Sequence, residues 1–179
     1  MKRPSLWTRL RYSYFAKPVE ERPLYREMLK RPVARIVEIG LGDCDRAERL
    51  IRLAIKLAGR PVTYTGIDPF ESASAGQPRM KYKDAYKRLN FTGCSCKLVP
   101  GDPLSALTRV ANTLTGTELL VIGSGDEQSM RAAWRYVPRM LDAQSRVFLF
   151  EAGKGFRGVS EREVSDWAAR AAETVKRVA

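Results

Sequence analysis

The chain has 179 residues with a hydrophobic fraction of 44%. That suits one domain with its own core and is too apolar for a disordered chain. Lys and Arg number 32 against 20 acids, a net charge of +12 that favours acidic partners such as nucleic acid or phosphorylated ligands. Histidine is absent, which excludes Ser-His and Cys-His catalysis and His-ligated metals. The longest apolar runs, at 119–122 and 147–150, are too short for a bilayer crossing. The basic start, Lys2 and Arg3, is not followed by a signal-like apolar stretch. Three cysteines are too few for a disulfide scaffold. The expected location is the cytoplasm, with no membrane partner.

Residues 1–32 read as a basic, aromatic arm, with 33–179 as the α/β domain. Residues 1–35 hold ten Lys/Arg against three Glu. Trp7, Tyr12, Tyr14 and Phe15 are interleaved with Arg3, Arg9, Arg11 and Lys17, and Pro18, Pro23 and Pro32 interrupt the arm. Such an arm could stack on bases and contact phosphates. The plainer reading docks its aromatics on the core and leaves its cations solvated.

After Pro32, residues 34–39 (ARIVEI) predict a buried strand running into the turn Gly40-Leu41-Gly42. Ala47, Leu50, Ile51, Ala54, Leu57 and Ala58 form one helical stripe, stopped by Gly59 and Pro61. Strand 2 is expected over 62–67, ending at Asp68, followed by a polar loop at 70–77 and a basic helix over 78–89. Strand 3 is expected over 96–99, turned by Gly101-Asp102-Pro103 into a helix reaching about residue 112. Strand 4 covers 118–122, and the loop Gly123-Ser124-Gly125-Asp126 leads to a helix over 128–141. Strand 5 covers 146–150, and 154–158 reads as a basic glycine loop. Ser160 and Glu163 predict a capping box opening a final helix.

Alternating strands and helices predict a doubly wound, mostly parallel α/β sheet of five strands in the order 3-2-1-4-5, with helices on both faces. Ligands of such sheets bind beyond the carboxyl ends of the strands. The first loop has Asp45 where a dinucleotide fingerprint needs its third glycine, and no Gly-Lys-Ser/Thr follows. An acid at a helix start repels pyrophosphate, which disfavours NAD and FAD.

These residues give the chain a resemblance to class I S-adenosylmethionine-dependent methyltransferases. Glu38, Gly40 and Gly42 match the family's first motif, with Cys44 at its third small position. Asp68 matches the acid that holds the ribose hydroxyls, and Gly101 and Asp102 match the motif beside the adenine. The resemblance implies S-adenosylmethionine as cofactor, with Gly123 at the end of strand 4 completing the site. It also implies that Asp68→Ala abolishes cofactor binding and spares the fold. The plainer reading of Asp68 and Asp102 is that they cap the turns before Pro69 and Pro103.

Within the superfamily, residues 97–151 most resemble small-molecule O-methyltransferases of the catechol type. The chain lacks their metal-holding Asp, since Gly123 stands there, so no metal is expected. The carboxyl-terminal hairpin of the family is expected to be missing, exposing strand 5 for a homodimer. Asp126 and Glu127 are the candidate bases, and Cys94 and Cys96 are expected as free thiols. The reading is a methyltransferase acting on a small molecule or nucleic acid. The alternative is a methyltransferase-like nucleic-acid-binding or scaffold protein without activity, in which the arm and residues 79–88 hold the nucleic acid.

Overall fold

The computed structural model describes residues 6–72, 80–123 and 127–176. In chain order the helices are α1 (Leu6–Leu10), α2 (Arg22–Lys30), α3 (Asp45–Ala58), α4 (Tyr82–Asn90), α5 (Pro103–Val110), α6 (Glu127–Ala133) and α7 (Glu161–Lys176). The strands are β1 (Arg35–Ile39), β2 (Thr63–Asp68), β3 (Ser95–Pro100), β4 (Leu119–Ile122), β5 (Arg146–Glu151) and β6 (Gly155–Val159). They form one sheet in the order β3-β2-β1-β4-β5-β6. The first five strands are parallel, and β6 runs antiparallel to β5, pairing Phe150 with Phe156 and Val147 with Val159.

The predicted order of the five parallel strands therefore holds, and the sheet carries a sixth. Residues 154–158 are not a basic glycine loop, because a short turn returns the chain along β5. The sheet was expected to stop at five strands; the single added strand β6 covers the strand-5 edge from which a homodimer was expected. A parallel strand left at an edge has a full row of unpaired backbone groups, and the returning segment satisfies them.

One apolar cluster joins α2, α3 and α4 to one face of the sheet, through Leu24, Tyr25, Leu50, Leu53, Tyr64 and Phe156. A second joins α5, α6 and α7 to the other, through Ile67, Leu107, Trp134 and Val137. The predicted stripe of α3 is buried throughout, and Gly59 ends that helix in a left-handed conformation at φ +64°. Ser160 and Glu163 form the expected capping box: the Glu163 amide donates to the Ser160 Oγ, and the Ser160 amide to the Glu163 carboxylate. The helix expected over 128–141 stops earlier. After α6 it tightens into a 3₁₀ turn over Trp134–Arg139, because Pro138 removes a donor and its ring opposes the preceding α-turn.

The boundary drawn at Pro32 does not separate two units. Leu24, Tyr25 and Met28 of α2 are fully buried in the first cluster. The plainer reading of the arm thus holds for α2, with Tyr12 packed edge-on against Tyr25. It does not hold further out, where Trp7 is 82% and Phe15 is 75% exposed.

Candidate functional site

The carboxyl ends of β1, β2, β3 and β4 gather the loops that carry the predicted site residues. Each loop is stitched to a neighbouring strand by a backbone hydrogen bond. The Gly40 amide donates to the Ile67 carbonyl at 2.8 Å, the Gly123 amide to Ile39 at 2.7 Å, and the Gly101 amide to Asp68 at 3.1 Å. The β1–α3 turn has left-handed residues at alternate positions: Gly40 (φ +78°), Gly42 (φ +63°) and Cys44 (φ +64°). The third small position of the motif is therefore a backbone requirement, and cysteine meets it at the ordinary cost of a side chain in the left-handed region.

Asp68 is 4% exposed and organises this turn. Its Oδ2 accepts from the Leu41 amide at 2.8 Å and the Gly42 amide at 3.4 Å, and its Oδ1 accepts from the Phe70 amide at 2.8 Å. It therefore caps the turn before Phe70, as the plainer reading has it, and also holds the glycine turn against β2. Asp102 is the N-cap of α5, accepting from the Leu104 and Ser105 amides at 3.0 and 3.1 Å. The Ser105 and Ser129 hydroxyls also donate to it.

These hydrogen bonds to the charged form draw the Asp102 carboxyl down to about 2 from 3.8. The depressed value means that its contribution to stability is complete above about pH 4 and is lost as pH falls toward 2. Asp102→Ala is expected to cost about 1–2 kcal/mol at neutral pH, the usual worth of an N-cap. Denaturant unfolding at pH 7 and pH 2.5 checks this, with the difference between the two proteins shrinking at the lower pH.

Glu38 does not present its carboxylate to the crevice. It is 0% exposed, and it accepts from the Arg46 Nε at 2.7 Å and the Tyr64 hydroxyl at 2.8 Å. Burial pushes this carboxyl up, and Arg46 and Tyr64 pull against it. Arg46 also donates from Nη2 to the Gly40 carbonyl at 2.6 Å, and its Cζ lies 5.0 Å from the centre of the Phe156 ring. A Cβ at Gly123 would sit 2.5 Å from both Arg46 Nη2 and the Gly40 oxygen. Glycine is thus required at the end of β4 by the close approach of β1 and the guanidinium. Arg46 was missed from the sequence. Its signal was there: it is the charged member of a face shared with Leu50, Leu53 and Leu57.

Beside Arg46 lies a cleft of about 630 Å³ between the arm and the start of α3, bordered by Lys17, Glu20, Asp43, Asp45 and Arg49. Its arm wall is fixed by Glu21, which accepts from Arg49 at 2.6 and 2.9 Å and from the Tyr25 hydroxyl. Asp45 and Glu48 bind Arg88 of α4, at 2.5 and 2.9 Å. Of the two expected bases, Asp126 lies outside the described residues and Glu127 is the first residue of α6. Cys44, Cys94 and Cys96 are free thiols, and no metal-ligating cluster exists among the described residues.

This topology is shared with solved structures. Over 87% of the chain and 83% of the other, it superposes on the methyltransferase domain of bacterial CtHen1-C with a TM-score of 0.50 at 14% identity. Over 90% of the chain and 69% of the other, it superposes on the O-methyltransferase TomG from Streptomyces achromogenes, with a TM-score of 0.54 at 14% identity. The TomG structure, of an enzyme involved in tomaymycin synthesis, is in complex with S-adenosylmethionine. The fold is that of class I methyltransferases. No protein-family model and no curated protein matches the sequence. In this methyltransferase fold, Gly40, Gly42, Asp68, Gly101 and Gly123 come together at the strand ends, with Arg46 among them. Glu38 lies beneath, and Asp102 is spent on α5. No helix of the described residues is long and apolar enough to cross a membrane.

Proposed function

We propose that this protein binds S-adenosylmethionine and transfers its methyl group to an acceptor not identified by its sequence. The observation that carries the reading is the glycine turn locked by Asp68 at the strand ends of a methyltransferase fold. The residues present fit such a ligand. The turn holds no phosphate-binding lysine, Gly42 faces open space, and a cleft of ligand size lies between the arm and the start of α3, which follows the turn. The charges along that cleft, both cations and carboxylates, suit the zwitterionic end of an amino acid.

When bound, the cofactor supplies an electrophilic methyl group, so the protein's task is positioning and exclusion of water. Gly40 and Gly42 let the backbone approach closely, Asp68 holds that backbone in place, and the arm at Lys17–Glu21 walls the cleft. Calorimetric titration with S-adenosylmethionine and S-adenosylhomocysteine, with NADH as control, tests the reading. Micromolar binding of the adenosyl compounds alone is expected. Absence of binding to well-folded protein would defeat it.

The second reading, a nucleic-acid-binding protein on the same fold, is favoured by one surface. Tyr82 and Tyr86 stack in parallel on α4, at 6.4 Å between centroids, with the exposed Lys81, Lys83 and Lys87 around them. Bases stack on such faces while lysines meet phosphates. Under this reading the affinity for single-stranded oligonucleotides falls steeply with salt.

A further inference from the structure

We propose that residues 6–19 of the arm dock this protein on an anionic lipid surface, with Trp7 and Phe15 entering the bilayer interface and Arg9, Arg11 and Lys17 meeting lipid phosphates. The proposal concerns where the chain is held and is independent of the adenosyl-ligand reading.

Residues 6–19 contain no acid. Within them Leu6, Trp7, Leu10, Tyr14, Phe15 and Val19 are all exposed. A single exposed apolar side chain is ordinary, but this many in one short segment call for a partner. The segment has two sides. It runs from α1 into a π-helical turn, Arg11–Phe15. Helical spacing puts Leu6, Trp7, Leu10 and Tyr14 on one stripe, with Thr8 and Tyr12 opposite. The inner side is held by the core. Thr8 is buried and accepts from the Lys56 Nζ of α3 at 3.2 Å. Tyr12 packs on Tyr25, and the Ser13 carbonyl accepts from Arg26. The apolar stripe is therefore the outward side of a docked segment.

Charge selects the partner. Arg9 and Arg11 flank the stripe and Lys17 follows it; all three are exposed, and none pairs with a carboxylate among the described residues. Long cations beside an apolar stripe reach phosphates while Trp and Tyr settle at the headgroup level. Of the acids that follow, Glu21 is held by Arg49, and Glu20 alone is exposed. Leu6, Leu10 and Val19 decide between lipid and nucleic acid. Aliphatic side chains gain nothing from base stacking, and they gain from leaving water for acyl chains. The lack of a long apolar run, from which no membrane partner was expected, bears on crossing a bilayer and not on lying at its surface.

The test is flotation of the full chain with vesicles of equal parts phosphatidylglycerol and phosphatidylcholine, and with vesicles of phosphatidylcholine alone. Binding to the mixed vesicles is expected, and much weaker binding to the neutral ones. Arg9→Gln/Arg11→Gln is expected to lower the affinity at least about tenfold, from about fivefold per surface cation. Trp7→Ser/Phe15→Ser, at unchanged net charge, is expected to lower it at least about tenfold. An aromatic variant that binds as well as the parent protein would overturn the proposal, since adsorption would then follow net charge alone. The substituted side chains are exposed, so both variants are expected to melt like the parent protein. If either does not, fluorescence of the unaltered chain decides. Lipids brominated in their acyl chains are expected to quench Trp7, whereas Trp134 and Trp167 pack together on the opposite face of the sheet. Unquenched emission would overturn the proposal. So would absence from the mixed vesicles, and weaker binding of a single-stranded oligonucleotide by the aromatic variant would then give the arm to nucleic acid. A chain that is dimeric without vesicles and monomeric as the aromatic variant would overturn it in favour of a second copy.

Discussion

Asp68→Ala is expected to lose about 2–4 kcal/mol of stability together with adenosyl-ligand binding. The estimate follows from buried backbone donors left without an acceptor, at about 1–3 kcal/mol each. Asp68 accepts from three amides, of which those of Leu41 and Phe70 belong to buried residues and bond at 2.8 Å. Without the carboxylate the glycine turn is no longer held against β2, so the binding surface is lost along with the stability. This departs from the expectation drawn from the family resemblance, in which the fold is spared. Asp68→Asn keeps one oxygen in place and is expected to fall between the two. Denaturant unfolding with calorimetry below each variant's midpoint separates the effects. A variant as stable as the parent protein would show that the turn does not depend on Asp68.

Arg46→Met is expected to cost more, about 3–5 kcal/mol at neutral pH, because removing one partner of a buried pair leaves the other charge uncompensated. Glu38 is that partner, with Tyr64 as its remaining donor. The cost depends on pH in a defined direction. Burial already raises the Glu38 carboxyl above 4.5, and without Arg46 nothing but Tyr64 opposes that rise. A carboxyl raised in the folded state favours folding below its unfolded value and penalises it as pH climbs toward the folded value. Arg46→Met is therefore expected to lie closest to the parent protein at and below about pH 4.5 and to fall further from it as pH rises. The double variant Arg46→Met/Glu38→Gln is expected to recover most of the loss and to be flat across that range. Unfolding free energies measured at several pH values check both statements. A single variant with no pH dependence beyond the parent protein's would refute the role of Glu38.

The parallel strand order, the buried stripe of α3, the Gly59 stop and the Ser160–Glu163 cap were legible in the sequence because each is a local signal. Apolar periodicity reports which face is buried, and glycine or a capping pair reports where a helix ends, whatever else the chain does. The placing of Gly40, Gly42, Asp68, Gly101 and Gly123 at one end of the sheet was legible for the same reason. Once strands are parallel, everything that follows a strand emerges on the same side.

What those residues do there was decided by tertiary structure. Acids at the ends of β2 and β3 are visible in the sequence, but whether a carboxylate faces a ligand or a row of amides depends on which loop folds over it. Packing gave Asp68 to the glycine turn and Asp102 to α5. β6 escaped notice because five residues with two glycines carry little pattern, and the segment becomes a strand only where the edge of β5 offers unpaired backbone groups. The arm's division into buried α2 and exposed Trp7 and Phe15 also needed the core to be assembled. The Glu38–Arg46 pair is the clearest case. Its members lie eight positions apart, on a strand and on the helix that follows, separated by a turn of left-handed residues. Only when that turn folds the helix back over the sheet does the arginine reach the buried acid, and with it the place where a ligand would enter.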